Sequence, residues 1–465
     1  MAPDSSAVIM PSAGSSPEAA FAEPFEALSR FVTAAARPGE TLFAELHAER
    51  ADYLRLNRAR VRQAGTVERA MVALRLIDAG RQARIVCPLV GGRRGRAGLD
   101  QALAQLRAAL AQSDADPFLA WQTEPTHSHS VRGGSIASPE ALIATITDAA
   151  GDADLIGFHA AGPVAAALVS NAGHRHYHEA VWSSLDFTIQ AGADKAVKQT
   201  WSAADWSAPA VARAIAQARE QAQILRRPPK RLDPGAYRAL LAPRALADLV
   251  GMLGWGGFSL RALRTGQSPL MRLQRGQASF AEAFSLTEDL AAHDVPRFQP
   301  DGFLRPMRLP LIVAGRLIDQ LVSPRSAREF GAQPGGALVS NGADDGEAPQ
   351  AACIAPGSLR ETDALAALDT GLSISNFWYL NYSDRAACRL TGMTRFATLW
   401  VENGRPVAPV ETMRFDDSLY RALGSSLLAL TDTVQRMPHT DTYDGRQFGG
   451  ISAPGALVSA LTFTL

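Results

Sequence analysis

Hydrophobic positions recur along this chain at two different periods, and the places where one gives way to the other mark its elements. Residues 24–39, PFEALSRFVTAAARPG, carry apolar side chains three and four apart and stop at Pro38-Gly39, the pattern of an amphipathic helix with a hard end. ADYLRLNRARVRQAG (51–65) alternates in part. ERAMVALRLIDAGRQARIVCPLVGG (68–92) predicts two strands joined at Asp78-Ala79-Gly80, a hairpin. The helical period returns over 98–113 and again over 138–151, where Ser138 is placed to cap the first turn. From 153 to 205, turn residues separate short apolar runs, the signature of an antiparallel sheet, and APAVARAIAQAREQAQIL (208–225) closes this half as a helix.

The basic, Pro-rich RRPPKRLDPG (226–235) reads as a linker between 21–225 and 236–465. Beyond it the pattern predicts a strand at YRALLAP, a helix from Pro243, and strands in 308–323, 371–383, 397–410 and 455–465. Asn403-Gly404 between apolar runs marks a hairpin. SLYRALGSSLLALTDTVQR (418–436) is predicted helical, and the Gly-, Pro- and Asp-rich stretch 331–357 a long loop.

Composition narrows the function classes. Lys plus Arg and Asp plus Glu both total 46, so no net field draws the chain to nucleic acid or to an anionic membrane. No apolar run approaches the roughly 18 residues of a membrane span. Residues 1–20 lack a basic signal region and read as a mobile tail. Cys87, Cys353 and Cys388 have no paired spacing, which points to a reducing, cytoplasmic setting.

Candidate chemistry is sparse. His174, His176 and His178 alternate in HRHYHE and would share one face of a strand, a row that can hold a transition metal. A half-exposed strand with polar residues on its groove face gives the same row, and no cysteine or carboxylate beyond Glu179 completes a site. His127 and His129 lie in a loop-like stretch. GGRRGRAG (91–98) could offer Arg93, Arg94 and Arg96 to an anion but lacks the Lys-Ser/Thr ending of a phosphate loop, so a solvated loop is expected. Cys388 has a cationic neighbour, Arg389, yet its context is that of a structural cysteine. The richest stretch is 371–423: an aromatic strand with Tyr379 and Tyr382, then Asp384 and Arg385, which could pair and hold a substrate backbone or close a turn, and a Thr394-Arg395 approach to the hairpin.

In NFWYLNYSD, LTGMTR, WVENGRPVAPV and RFDDSLYRAL, in that order, the chain resembles the TldD/TldE (PmbA) family of metallopeptidase-related proteins, with NAGHRHYHEAVWSSLDFTI and DKAVKQTWSAADW resembling its N-terminal sheet. The resemblance implies an α+β protein with an N-terminal α/β domain carrying a mixed or antiparallel sheet. A C-terminal, largely antiparallel, barrel-like β domain would follow. The family's catalytic branch carries His-Glu-x-x-x-His on a helix, with a cysteine ligand shortly before the last strand. Counting back from RTGQS, the two histidines fall on Gly251 and Gly256 and the glutamate on Met252. HTDTYDGRQFGGISAP has no cysteine, only His439. The resemblance therefore implies the metal-free TldE branch: no cofactor in this chain, zinc in a TldD-like partner subunit, and unfolded peptide as substrate, in peptide maturation or small-protein turnover. Tyr379, Tyr382, Asp384, Arg385, Thr394 and Arg395 are the expected substrate or interface residues. Two other readings compete: a homo-oligomeric peptide-binding protein without peptidase activity, and an enzyme whose chemistry has moved to the histidine row or to Asp384 and Arg385.

Overall fold

The computed structural model describes residues 19–192, 195–338 and 346–464; most of the expected N-terminal tail lies outside them. Helix α1 (Ala22–Ala35) packs on a sheet built from β1 (Thr41–Asn57), β2 (Arg60–Asp78) and β3 (Arg81–Pro88). Then come α2 (Gly92–Leu110), β4 (His127–Arg132), α3 (Pro139–Ala150), β5 (Leu155–Ser170), β6 (Arg175–Gln190), β7 (Ala196–Ala203) and α4 (Ala208–Leu225). The strand order is β3-β2-β1-β5-β6-β4, with β7 also on β6, and every pairing is antiparallel except β4 with β6. The predicted hairpin turns at Ala79 and Gly80, both at positive φ, and Ser138 Oγ caps α3 by accepting from Ala141 N at 3.2 Å.

The second sheet begins with β8 (Gly235–Leu241), and α5 (Pro243–Gly251) follows. Its remaining strands are β9 (Leu286–Asp289), β10 (Arg308–Val313), β11 (Arg316–Leu317), β12 (Ala351–Ile354), β13 (Gly371–Ile374), β14 (Trp378–Asp384), β15 (Arg389–Met393), β16 (Thr398–Glu402), β17 (Arg405–Pro409), β18 (Arg414–Ser418), β19 (Leu427–Pro438) and β20 (Gly450–Phe463). The class is α+β, as expected. The path runs open from β11 to β17, so the C-terminal sheet is not a closed barrel. Segment 226–235 lies against this half: Lys230 donates to Pro409 O at 2.7 Å and pairs with Glu402 at 2.9 Å.

Four local expectations are corrected. Residues 427–438 form β19 rather than a helix: Gly424 leaves helical geometry (φ −106°, ψ −107°), and pairing with β20 overrides a helical period that includes β-branched Thr431, Thr433 and Val434. The basic 91–98 segment is the start of α2, because Gly95, where a Cβ would lie 1.5 Å from Val90 O, lets the chain turn back on itself. Arg96 there pairs with Asp100 at 3.1 Å and stacks on Phe31. His127 and His129 lie on β4, not in a loop. The stretch 331–357, expected as loop, contains β12, while 339–345 lie outside the described residues.

Candidate functional site

Helix α5 forms because Pro243 opens it at N1 and Ala245, Leu246, Ala247, Leu249 and Val250 bury one face. It does not continue through the glycines. It ends at Gly251, one 3₁₀ turn spans Met252–Gly254, and the chain then reverses through Gly256 at φ +80°. Gly257 passes so close to Leu253 O that a Cβ would meet it at 2.5 Å. The positions expected to correspond to a zinc-binding helix are therefore split between a helix end and a left-handed turn. Gly251 faces the start of β20, its Cβ position 3.4 Å from Ile451, so segment 439–450 does run into the same neighbourhood.

Side chains from β14 and the turn after it bond carbonyls around this helix end. Tyr382 OH donates to Met252 O at 2.8 Å, while Arg385 Nε donates to Gln267 O at 2.7 Å and its Nη2 to Trp255 O. The Arg385 guanidinium lies over the Tyr382 ring at 5.1 Å. Burial, ahead of a nearby Cys388, pushes the Tyr382 hydroxyl well above its usual range, so it stays a donor. Tyr382 and Arg385 are thus brought to Met252 and Gly256 across 130 residues, a contact no local pattern encodes.

The other candidates go elsewhere. Asp384 accepts from Ala387 N at 3.1 Å and closes a turn rather than pairing with Arg385. Thr394 is buried and accepts from Met413 N at 3.0 Å, fastening two loops. Tyr379 is 77% exposed, at φ +57°, beside Trp378, and Arg395 covers the Trp378 ring at 4.7 Å. These three form an aromatic and cationic surface on β14, which pairs only with β15 and so leaves a free edge among the described residues. Cys388 is fully buried, its thiol pushed up to about 12 by that burial.

The histidine row is not a groove face. His174 and His176 are fully buried and His178 nearly so, where β6 meets the C-terminal half. Thr126 N donates to His174 Nδ1 at 3.1 Å, so His174 Nε2 carries the proton and donates to Gln122 O at 2.8 Å. Thr126 Oγ1 gives its proton to Gly302 O at 2.7 Å and accepts from His176 Nε2 at 2.9 Å. Ser128 Oγ then donates to His176 Nδ1 at 2.8 Å, and His178 Nε2 donates to Asp294 O at 2.7 Å. Burial pulls His176 down to about 3 and His178 to about 4, so the rings are neutral staples.

A zinc site needs three donors and an open position. Gly251, Met252 and Gly256 supply none, and no group of three or more His, Cys, Asp or Glu among the described residues could hold a metal ion. The residues at these three positions do not fit zinc. Restoring the motif as Gly251→His, Met252→Glu and Gly256→His should give weak zinc binding, no peptidase activity and a stability loss of roughly 2 kcal/mol. Most of that loss comes from a side chain forced to positive φ at 256, 3.2 Å from Arg385 Nη2. Robust zinc-dependent cleavage by this variant alone would show that the rest of a catalytic centre is intact.

Residues 234–465 match the family model described as the PmbA/TldA metallopeptidase C-terminal domain. A sequence search of curated proteins finds no match. Among solved structures, TldE from Thermococcus kodakarensis aligns over 95% of this chain and 99% of its own, with TM-score 0.77 and 14% identity. A protein from Thermotoga maritima described as a candidate modulator of DNA gyrase aligns over 95% and 100%, with TM-score 0.73 and 16% identity. One from Bacteroides thetaiotaomicron with the same description aligns over 95% and 98%, with TM-score 0.71 and 15% identity. At such identities the structures speak to fold, and they share it along nearly their whole length. Taken with the family match across its C-terminal half, this chain belongs to the TldD/TldE (PmbA) family of metallopeptidase-related proteins.

Proposed function

We propose that this chain is the non-catalytic, TldE-like subunit of a two-subunit peptidase, and that it works with a zinc-bearing TldD-like subunit in the cytoplasm to cleave unfolded peptides during peptide maturation or small-protein turnover. One observation carries the reading: the positions aligned with the family's zinc motif are Gly251, Met252 and Gly256, and the backbone there is occupied by Tyr382 and Arg385. Metal-assisted hydrolysis needs a Lewis acid and a carboxylate to take a proton from water. The segment offers neither. In its place the chain offers a free sheet edge at β14 flanked by Trp378, Tyr379 and Arg395, suited to holding an extended peptide by its main chain.

The histidine row gives little support to relocated chemistry, since both ring nitrogens of His174 and of His176 already have partners. The isolated chain should purify with well under one equivalent of zinc and show no metal-dependent cleavage. Near-stoichiometric zinc, lost on His174→Ala, would overturn the proposal.

A further inference from the structure

Where β7, α4, the start of α5 and β19 converge, they line a half-open cavity of about 470 Å³, inside the roughly 300–1,000 Å³ of small-molecule sites. It lies at the N-terminal end of α5, whereas the degenerate motif begins at the other end, roughly 12 Å away at 1.5 Å per residue. Asn376 on its wall is only 5% exposed, yet its Oδ1 has no hydrogen-bond partner, and neither has Oγ of the adjacent Ser375. The segment itself is well held, since Phe377 N donates to Asp248 Oδ2 at 3.0 Å. Buried polar atoms left open on a cavity wall call for a group that completes them.

Three further features define that group. Pro243 opens α5 into the cavity and no side chain caps it, so the leading amides and the positive end of the helix face an incoming anion. Lys198 and Arg244 also line the cavity, but each is already beside a carboxylate: Lys198 at 3.4 Å from Asp186 and Arg244 at 2.8 Å from Asp248. Glu361 adds a further acid. With no net positive charge, the cavity disfavours a phosphate and suits a ligand that carries both signs. Gln199, Gln217, Gln221 and Gln435, drawn from β7, α4 and β19, complete the lining, and none of their side chains bonds to another described residue. Carboxamides donate and accept, as peptide groups do.

We propose that this cavity binds a small zwitterion, an amino acid or a short peptide. Its free α-carboxylate sits at the α5 N-terminus, and its amide or ammonium groups donate to Asn376 Oδ1 and lie among the glutamines and Glu361. The site is separate from the degenerate motif and needs no peptidase partner, so its test is independent of the subunit reading.

Calorimetry on the full chain with alanine, trialanine, trialanine C-terminal amide and inorganic phosphate tests it. Trialanine or alanine should bind, and blocking the carboxylate as the amide should weaken binding at least tenfold. Asn376→Leu should weaken binding by a similar factor. Glu361→Gln, an exposed substitution that removes the ammonium's counter-charge, should do the same and serves if the buried substitution misfolds. Tighter binding of trialanine than of alanine assigns a peptide, and equal binding assigns an amino acid. Equal affinity for the amide, binding of phosphate alone, no binding at millimolar ligand, or indifference to Glu361→Gln would each overturn the proposal.

Discussion

Taking the chain from pH 7 to pH 5 should cost it on the order of 5 kcal/mol of folding stability, through four histidines that are neutral when folded. Burial holds His176 at about 3, and His159, His178 and His293 at about 4, against an ordinary 6.5. A folded value below the unfolded one means that the unfolded chain takes up protons first as the pH falls. The stabilising contribution is therefore complete above about pH 6.5 and is lost as pH drops toward 4, each group approaching a slope of about 1.4 kcal/mol per pH unit. Asp248 and Glu288 work the other way: burial raises both, so their protonation on folding offsets part of the loss. Urea midpoints at pH 7 and pH 5 measure the balance. His176→Gln should flatten the dependence by about one unit's slope even if it lowers stability at pH 7. A midpoint that does not move between the two conditions would mean that these rings are protonated when folded, and that the Thr126 and Ser128 network is drawn wrongly.

The second large effect lies where the halves join. Arg75 on β2 forms an ion pair with Asp301 of the C-terminal half, both side chains at most 1% exposed, and also donates to Pro300 O at 2.9 Å. Its guanidinium lies over Phe43 at 4.9 Å. Asp301→Ala leaves a cation in the interior with its counter-charge removed, which costs about 3–5 kcal/mol. Replacing both residues as Arg75→Met with Asp301→Leu removes the charge as well as its partner and should recover most of that loss, because an apolar pair does not have to be desolvated. Equilibrium unfolding of the three proteins decides it. A single substitution costing under about 0.5 kcal/mol would show that water reaches the pair.

What could be read in the sequence was local. Ser138, Pro38-Gly39 and Ala79-Gly80 announce a cap, a stop and a turn from within a few residues, and the structure keeps all three. The interior of the site was not local. His176 is neutral because it is buried, bonded to Thr126 and Ser128 some fifty residues earlier, and alternation alone gives a groove face as readily as a buried seam. Asn376 and the four glutamines around the α5 cavity have no spacing that links them. The glycines at 251–257 were visible as an anomaly, but that Gly256 is required for a left-handed turn while Gly251 is not comes only from the backbone. The proposed loss of the zinc ligands is the one site-level reading available in advance, because it depends on residue identity rather than on contacts.

That reading also sets the decisive experiment. This chain, a homologue from the same organism carrying His-Glu-x-x-x-His, and their mixture should each be assayed for cleavage of a fluorogenic unfolded peptide, with and without a chelator. The proposed subunit role predicts no cleavage by this chain, full cleavage only in the mixture, and complete loss on chelation or on mutating the homologue's glutamate. Cleavage by this chain alone, or a homologue that reaches the same rate without it, would contradict the proposal.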